Sequence, residues 1–364
     1  MSDTPSKGDV LLMVGTRKGS FLFWSDSARK DWQRSLHHQG WMVHHMTHDA
    51  RDNSIYSATN SGNFDGVVQR TPDFGATWEK RSEKLDYPAE SEYRVRKVWH
   101  LKPKPDGVAG HVYAGVERAG LFFTEDYGQT WQPVEGLISH EHTKDWQPGA
   151  GGLMVHTILV DPQDQNRIYV AISAAGVYRT DDGGKTWTAK NKNVRADFLP
   201  EKYPVFGQCV HKLAMHPARP EVLYQQNHCG VYRSDDRGDN WVEIAEGLPS
   251  EFGFPFAVHA HDPDTIYVVP LVGDGNRVVP EGKMTVWRSR NRGEQWEPMR
   301  DGLPDAAYLT VLREAMAVDD VDSCGVYVGT ETGQLFFSRN EGKSWELLAD
   351  FLPPIYSVST GRVA

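Results

Sequence analysis

The sequence predicts an all-β chain closed into a seven-bladed β-propeller, and three observations carry that expectation. An octapeptide, TDDGGKTW at 180–187, returns as TPDFGATW (71–78), TEDYGQTW (124–131), SDDRGDNW (234–241), SRNRGEQW (289–296) and SRNEGKSW (338–345), with a degenerate copy, SDSARKDW, at 25–32. Steps of 46 to 56 residues between copies are those of a propeller or solenoid repeat. Each interval also divides into four short runs rich in Val, Ile, Tyr and Phe, bounded by turn residues and without a helical period. Finally, the first unit lacks a strand and the C-terminus has one to spare.

Taken in order, residues 8–35 supply only three strands, GDVLLMVGT, GSFLFW and DWQRS, whereas PIYSVST at 354–360 follows the last box alone. Pairing the two completes the N-terminal blade and removes the free edges that an open array would carry. The seven box tryptophans, at 32, 78, 131, 187, 241, 296 and 345, then count seven blades in a single domain spanning 1–364. HTILVDP, RIYVAIS, GVYRT and TWTAK show the four-strand pattern most clearly, between 156 and 190. Hairpins within a blade are short, but connections between blades are long: 82–94, 134–152, 190–208 and 246–255, with a further insertion at 271–284 inside blade six. All of these emerge on one face, around the mouth of the central channel. Long irregular loops in a compact fold are usually functional, so the site is expected there.

Composition narrows the function classes. At 39% hydrophobic and 24% charged residues the chain reads as an ordinary globular protein. A net charge of −10 argues against a nucleic-acid or anionic-membrane partner. The first ten residues lack the apolar core of a signal peptide, no 18-residue apolar run occurs, and the three cysteines have no framework spacing. A cytoplasmic location with reduced thiols is therefore expected. Cys209 and Cys229 read as buried packing residues.

The box itself reads as structure. Its Gly supplies the left-handed backbone of a tight turn, the Asp or Asn caps neighbouring amides, and the Trp covers the turn and packs between blades. Asp73, Asp126, Asp182 and Asp236 are thus expected to be turn residues, on the face away from the long loops.

These boxes resemble those of the Asp-box (BNR repeat) sialidase-like propellers over nearly the whole chain. VGTRKG (14–19), VHTILVDP (155–162), VRADFLP (194–200), GQCVHKL (207–213) and QNHCGVYRSDD (226–236) are similar to bacterial BNR-repeat proteins labelled glycosyl-hydrolase-like. The resemblance implies a propeller and a carbohydrate-related ligand. The Arg-Ile-Pro segment of true sialidases is missing and the blade count is seven rather than six, so sialidase chemistry itself is not expected.

Counting back from each box aligns the inner strands. Val-His opens three of them, at Val43-His44, Val155-His156 and Val210-His211, and Val258-His259 is a displaced fourth. Arg96 or Lys97 takes the equivalent place in blade three, and Arg313 or Glu314 in blade seven. Alternation along a strand would gather these side chains at the channel mouth. The neighbouring turns add Arg17, Glu117, Arg118, Asn227, His228 and Glu331, and the long loops add Trp41, Trp146, Arg195 and Asp197.

Three readings follow. In the first, a small-molecule hydrolase or lyase grips an acidic sugar or related anionic metabolite. Here Arg17, His44, Arg96, Arg118, Arg195, Asn227 and His228 bind substrate, Trp41 or Trp146 stacks on it, and His156, His211 and Glu314 are the catalytic groups; guanidinium pairs well with carboxylate or phosphate, and glycoside hydrolysis needs paired carboxylates. In the second, His44, His156 and His211, with His259 as a further candidate, hold a divalent metal such as Zn, Mn, Fe or Ni. In the third, the ring is a non-catalytic scaffold for a protein partner or ligand. Imidazole at three matching positions favours chemistry over a bare scaffold.

Overall fold

The computed structural model of the protein describes residues 4–61, 64–82 and 85–364. Among these, the strands form seven four-stranded antiparallel sheets, the seven blades expected. Two residues of the 82–94 connection, Glu83 and Lys84, lie outside the described residues. From blade one to blade seven the inner strands are Ile355–Arg362, Met42–Asp49, Val98–Pro103, Val155–Val160, Val210–His216, Gly253–Val258 and Met316–Val318. The only α-helical segment among the described residues is a single turn, Glu135–Ile138, in the connection between blades three and four. Among the described residues no helix is long and apolar enough to cross a membrane.

The closure is as expected and slightly longer. Ile355–Arg362 pairs antiparallel with Val10–Thr16, from Val10 opposite Arg362 to Thr16 opposite Ile355, and forms the inner strand of blade one. Val10 to Val14 are fully buried and Val358 nearly so, so hydrophobic burial as well as the ladder holds the ring shut.

The blades pack through a recurrent tyrosine in the second strand. Tyr56, Tyr169, Tyr224, Tyr267 and Tyr327 are fully buried, and Tyr113 is nearly so. Blades three and four approach so closely at Gly115 that there is no room for a side chain: a Cβ there would lie 2.4 Å from the Val155 carbonyl oxygen.

The boxes behave as structural clips. In the 180–187 copy, Thr180 Oγ1 donates to Asp182 Oδ1 (2.7 Å) and accepts from the Gly184 amide (2.9 Å). Asp182 in turn accepts from the Thr186 amide and hydroxyl at 2.9 and 2.6 Å. The Thr186 hydroxyl, with that amide, holds the Asp182 carboxyl well below the usual carboxylate range. In three blades the box tryptophan ties the blade to the one before it: the indole N–H of Trp131 donates to the Arg81 carbonyl (2.7 Å), that of Trp241 to Lys190 (2.8 Å) and that of Trp296 to Ile244 (2.9 Å).

Asp182→Ala removes a capping acceptor and is expected to cost about 1 kcal/mol, seen as a lower denaturant midpoint with ligand binding unchanged. Ending the chain after Pro354 strips the inner strand from blade one; it is expected to give aggregated or markedly less stable protein by light scattering and thermal melting.

Candidate functional site

The site is built on a backbone irregularity. In five blades the inner strand carries one extra residue at the same place: Tyr356, His44, Trp99, His156 and His211 each lie between two paired residues with no partner of their own. Blade six is irregular at the same level, between Gly253 and Phe256. A β-bulge of this kind re-aims a side chain at the rim of a barrel. Here Tyr356, His44, Trp99, His156, His211 and Phe254 all line a cleft at the channel mouth.

That cleft consists of two connected cavities of about 510 and 280 Å³, which share Gly151, Phe254, Arg277 and Arg313. Its walls come from the long connections, with Asp145 and Gln147–Gly151 from 134–152, Phe198, Leu199, Phe206 and Gly207 from 190–208, and Asp274 and Arg277 from 271–284, and from Phe254 on the blade-six inner strand. The volume is that of a metabolite-sized site.

Beneath the mouth, the residue after the bulge faces the channel in three blades: His45, His100 and Lys212. Glu314 is the hub: Lys212 Nζ donates to its Oε2 at 2.6 Å, while His45 and His100 approach to 3.8 and 3.9 Å. Glu314 Oε1 and His100 Nδ1 are sealed from solvent with no hydrogen-bond partner. The rings of His45 and His100 lie 4.2 Å apart.

Burial keeps the histidines of both layers uncharged. It pushes His44 and His45 down to about 4, with the Asn60 hydrogen bond opposing this at His44 and the charge of Glu314 opposing it at His45. It pushes His100, His156 and His211 well below the ordinary histidine value. These groups are therefore neutral donors, acceptors or ligands at neutral pH.

The residues singled out from the sequence fall into three places. His44, His156, His211, His228 and Glu314 line the cleft. His156 is committed within the protein, its Nε2 donating to the Val210 carbonyl (3.0 Å) and its Nδ1 bonded to Thr157 (3.1 Å). His44 Nε2 is bonded to Asn60 Oδ1 at 2.8 Å. His211 donates from Nδ1 to the Gly253 carbonyl (2.5 Å), which leaves Nε2 as a lone pair on the cleft. His44, His156 and His211 do not form a metal-binding set together: among the described residues the two sets whose donor atoms converge within 4.8 Å are Cys209–His211–His228 and His45–His100–Glu314.

Other candidates lie outside the cleft. Arg17 and Arg96 are exposed on the rim. Arg118 stacks over the Tyr93 ring, 4.4 Å from its centroid, beside a separate small cavity. Arg195 is held by Asp197, Glu243 and Glu251 at 2.6, 2.6 and 2.8 Å. Asn227 is fully buried and accepts from the Cys229 amide. His259 sits at the opposite end of its strand, where Nδ1 accepts from the His261 and Asp262 amides. Trp146 is buried, with its N–H on Tyr178.

The residues that sequence reasoning missed are Trp99, Tyr356, Phe254 and Arg277 at the mouth, and His45, His100 and Lys212 below it. Cys209 also differs from expectation: Cys229 is buried, but Cys209 is only partly so and lines the larger cavity. Aligning blade three by its second-strand tyrosine rather than by charge would have matched Val98-Trp99 to the Val-His pairs, in place of Arg96 or Lys97.

With this geometry in hand, comparison with known proteins finds relatives at low identity. The family model described as "Sortilin, neurotensin receptor 3" matches residues 119–277. A xyloglucanase, Xgh74A of Acetivibrio thermocellus, is 24% identical over 261 residues, 62% of this chain and 28% of that protein. The vacuolar protein sorting/targeting protein 10 of Emericella nidulans is 23% identical over 215 residues, 57% of this chain and 14% of its own length. The chain thus spans about a quarter or less of these relatives. Among solved structures, an ancestral GH74 enzyme aligns with a TM-score of 0.58 at 15% identity, covering 88% of this chain and 38% of the other. YCF48 bound to D1 peptide aligns with a TM-score of 0.53 at 13% identity, covering 99% and 95%. These likenesses establish the propeller. The sialidase-like resemblance holds only at the coarse level of the repeat.

The buried histidines give a signed pH dependence. Their folded pKa values lie below the unfolded value of about 6.5, so the unfolded chain binds more protons once pH drops below that value. Stability is fully present above pH 6.5 or so and is lost as pH falls towards 4 for His44 and His45, at up to about 1.4 kcal/mol per pH unit for each histidine titrating only in the unfolded chain. Melting temperature is expected to fall steadily from pH 7 to 4.5, and less steeply in His45→Gln.

Proposed function

We propose that the protein binds a small anionic metabolite of carbohydrate type in the channel-mouth cleft and acts on it as a hydrolase or lyase. The observation that carries this reading is Arg313. Its Nη1 is sealed from solvent with no hydrogen-bond partner, and the side chain lines both cavities together with Arg277. An unsatisfied buried guanidinium nitrogen is costly, and a ligand carboxylate or phosphate would satisfy it with a charge-assisted, bidentate bond. The carbohydrate class is supported by the xyloglucan-degrading enzymes among the relatives. Trp99, Tyr356 and Phe254 supply aromatic faces beside the cationic groups, a combination suited to a sugar ring bearing an anion. Of the three groups expected to catalyse, His211 has a ring nitrogen open to the larger cavity, and Glu314 lies at the floor of the smaller one.

A second reading, a scaffold that docks a protein segment, is favoured by one feature. Phe198, Tyr203 and Val205 on the 190–208 connection are 47, 51 and 68% exposed, an apolar rim beside the cleft.

A panel of uronic acids and phosphorylated sugars is expected to raise the melting temperature of the wild-type protein and to lose that effect in Arg313→Gln. No shift with any anion, together with unchanged behaviour of Arg313→Gln, would favour the scaffold.

A further inference from the structure

We propose that Cys209, His211 and His228 form a site for a divalent metal of the zinc class, with a fourth coordination position open to the larger cavity. The proposal deepens the reading of the cleft as an enzyme site, although the geometry behind it stands without that reading. The Cys209 Sγ and one nitrogen from each histidine all lie within 4.8 Å of one another, and all three residues line the larger cavity. Three protein ligands and one open position are the pattern of a catalytic zinc rather than of a closed structural one. One thiolate with two imidazoles is a donor set suited to zinc and unsuited to magnesium or calcium.

Local structure fixes each donor. Cys209 and His211 flank Val210 at the head of the blade-five inner strand, and the bulge turns the His211 ring into the cleft. The 2.5 Å bond from His211 Nδ1 to the Gly253 carbonyl forces the tautomer that presents Nε2 to a metal, the usual arrangement behind a ligating histidine. His228 comes from the turn of the same blade, where its amide donates to the Cys209 carbonyl at 2.9 Å, so the two ligands are tied through the backbone. Phe198 and Phe252 flank the His228 ring, each with its centroid 5.2 Å away, which limits its rotamers.

The competing use of the same residues is a thiolate–imidazolium nucleophile. That use needs one imidazole beside the sulfur, whereas here two converge on it, and a divalent cation takes all three donors. The other convergent set, His45–His100–Glu314, is less suited: the Lys212 ammonium already lies 2.6 Å from Glu314, and a second cation there would meet its repulsion.

The test uses the full chain, without a polyhistidine tag, purified in chelator-free buffer. Elemental analysis is expected to find about one zinc-class ion per chain, or Zn2+ titration of the stripped protein to reach that ratio. Cys209→Ser and His228→Ala are expected to abolish it, and exposed His261→Ala to leave it intact. Cobalt loading should give a thiolate-to-metal charge-transfer band that Cys209→Ser lacks. Thermal melting shows which variants remain folded, and Cys209→Ala is the second probe if Cys209→Ser does not. A stripped wild-type chain that takes up no Zn2+, or metal retained in the folded Cys209 and His228 variants, overturns the site. Metal bound without any anion-induced stabilisation would overturn the functional reading alone, and the reverse result would overturn the metal alone.

Discussion

One extra residue at the head of the inner strands determines what the channel of this propeller can do. In a regular strand successive side chains alternate between faces, so a single residue per blade would reach the mouth and its neighbour would turn into the blade. The bulge releases that restriction. It sends Tyr356, His44, Trp99, His156 and His211 onto the cleft while the next residue, His45, His100 or Lys212 in three blades, descends into the channel. Two stacked rings of chemistry-bearing side chains result. Blade seven joins the pattern differently: Arg313 and Glu314 precede its inner strand, and a bridge from Glu314 to Ser357 on blade one holds them in place.

The electrostatics of the two rings run against the charge of the chain. The protein carries −10 overall, yet the cleft and channel hold four cationic side chains, Arg277, Arg313, Lys212 and the partly buried Lys102 that it repels, against Glu314, Asp145 and Asp274. Because burial keeps the histidines neutral, this cationic character is owed to lysine and arginine and does not switch on only in acid. A small patch of positive potential inside low-dielectric walls concentrates anions locally. The same walls make a lone charge expensive, which is why Lys212 and Glu314 pair at 2.6 Å: deleting one partner would strand the other.

The fold was legible in the sequence because its signals are local. Box, strand runs and spare terminal strand each report on a few adjacent residues, and together they give blade count and closure. The long connections 134–152 and 190–208 and the 271–284 insertion line the cleft at the channel mouth. The site itself was only partly legible. The recurrence of Val-His found His44, His156 and His211, but pairing register is not written in a single strand, so the bulge and the second ring stayed hidden. Arg17, Arg96 and Arg118 look equivalent to Arg313 in sequence; what separates them is exposure and a stacking partner, and both depend on neighbouring blades. Cys209 seemed inert because His228, 19 positions further along the chain, is brought back to it by a hairpin.

Strands and connections divide the labour. The groups suited to chemistry are anchored on inner strands or tight turns, held by bonds such as His211 to the Gly253 carbonyl and the His228 amide to the Cys209 carbonyl. Rigid supports of this kind hold donor atoms to the tolerance that coordination or proton transfer demands. The groups suited to selecting a ligand, Phe198, Phe206, Asp274 and Arg277, hang on the connections, where changes of length are tolerated. The boxes lie at the far end of the blades and carry none of this, yet six of the seven hold their outer hairpins by the same bonds of Ser or Thr to Asp or Asn and Gly. A propeller clipped at one rim and bulged at the other can therefore vary its ligand without losing its ring, and a cleft of about 510 and 280 Å³ suits a metabolite better than a polymer lying across an open groove.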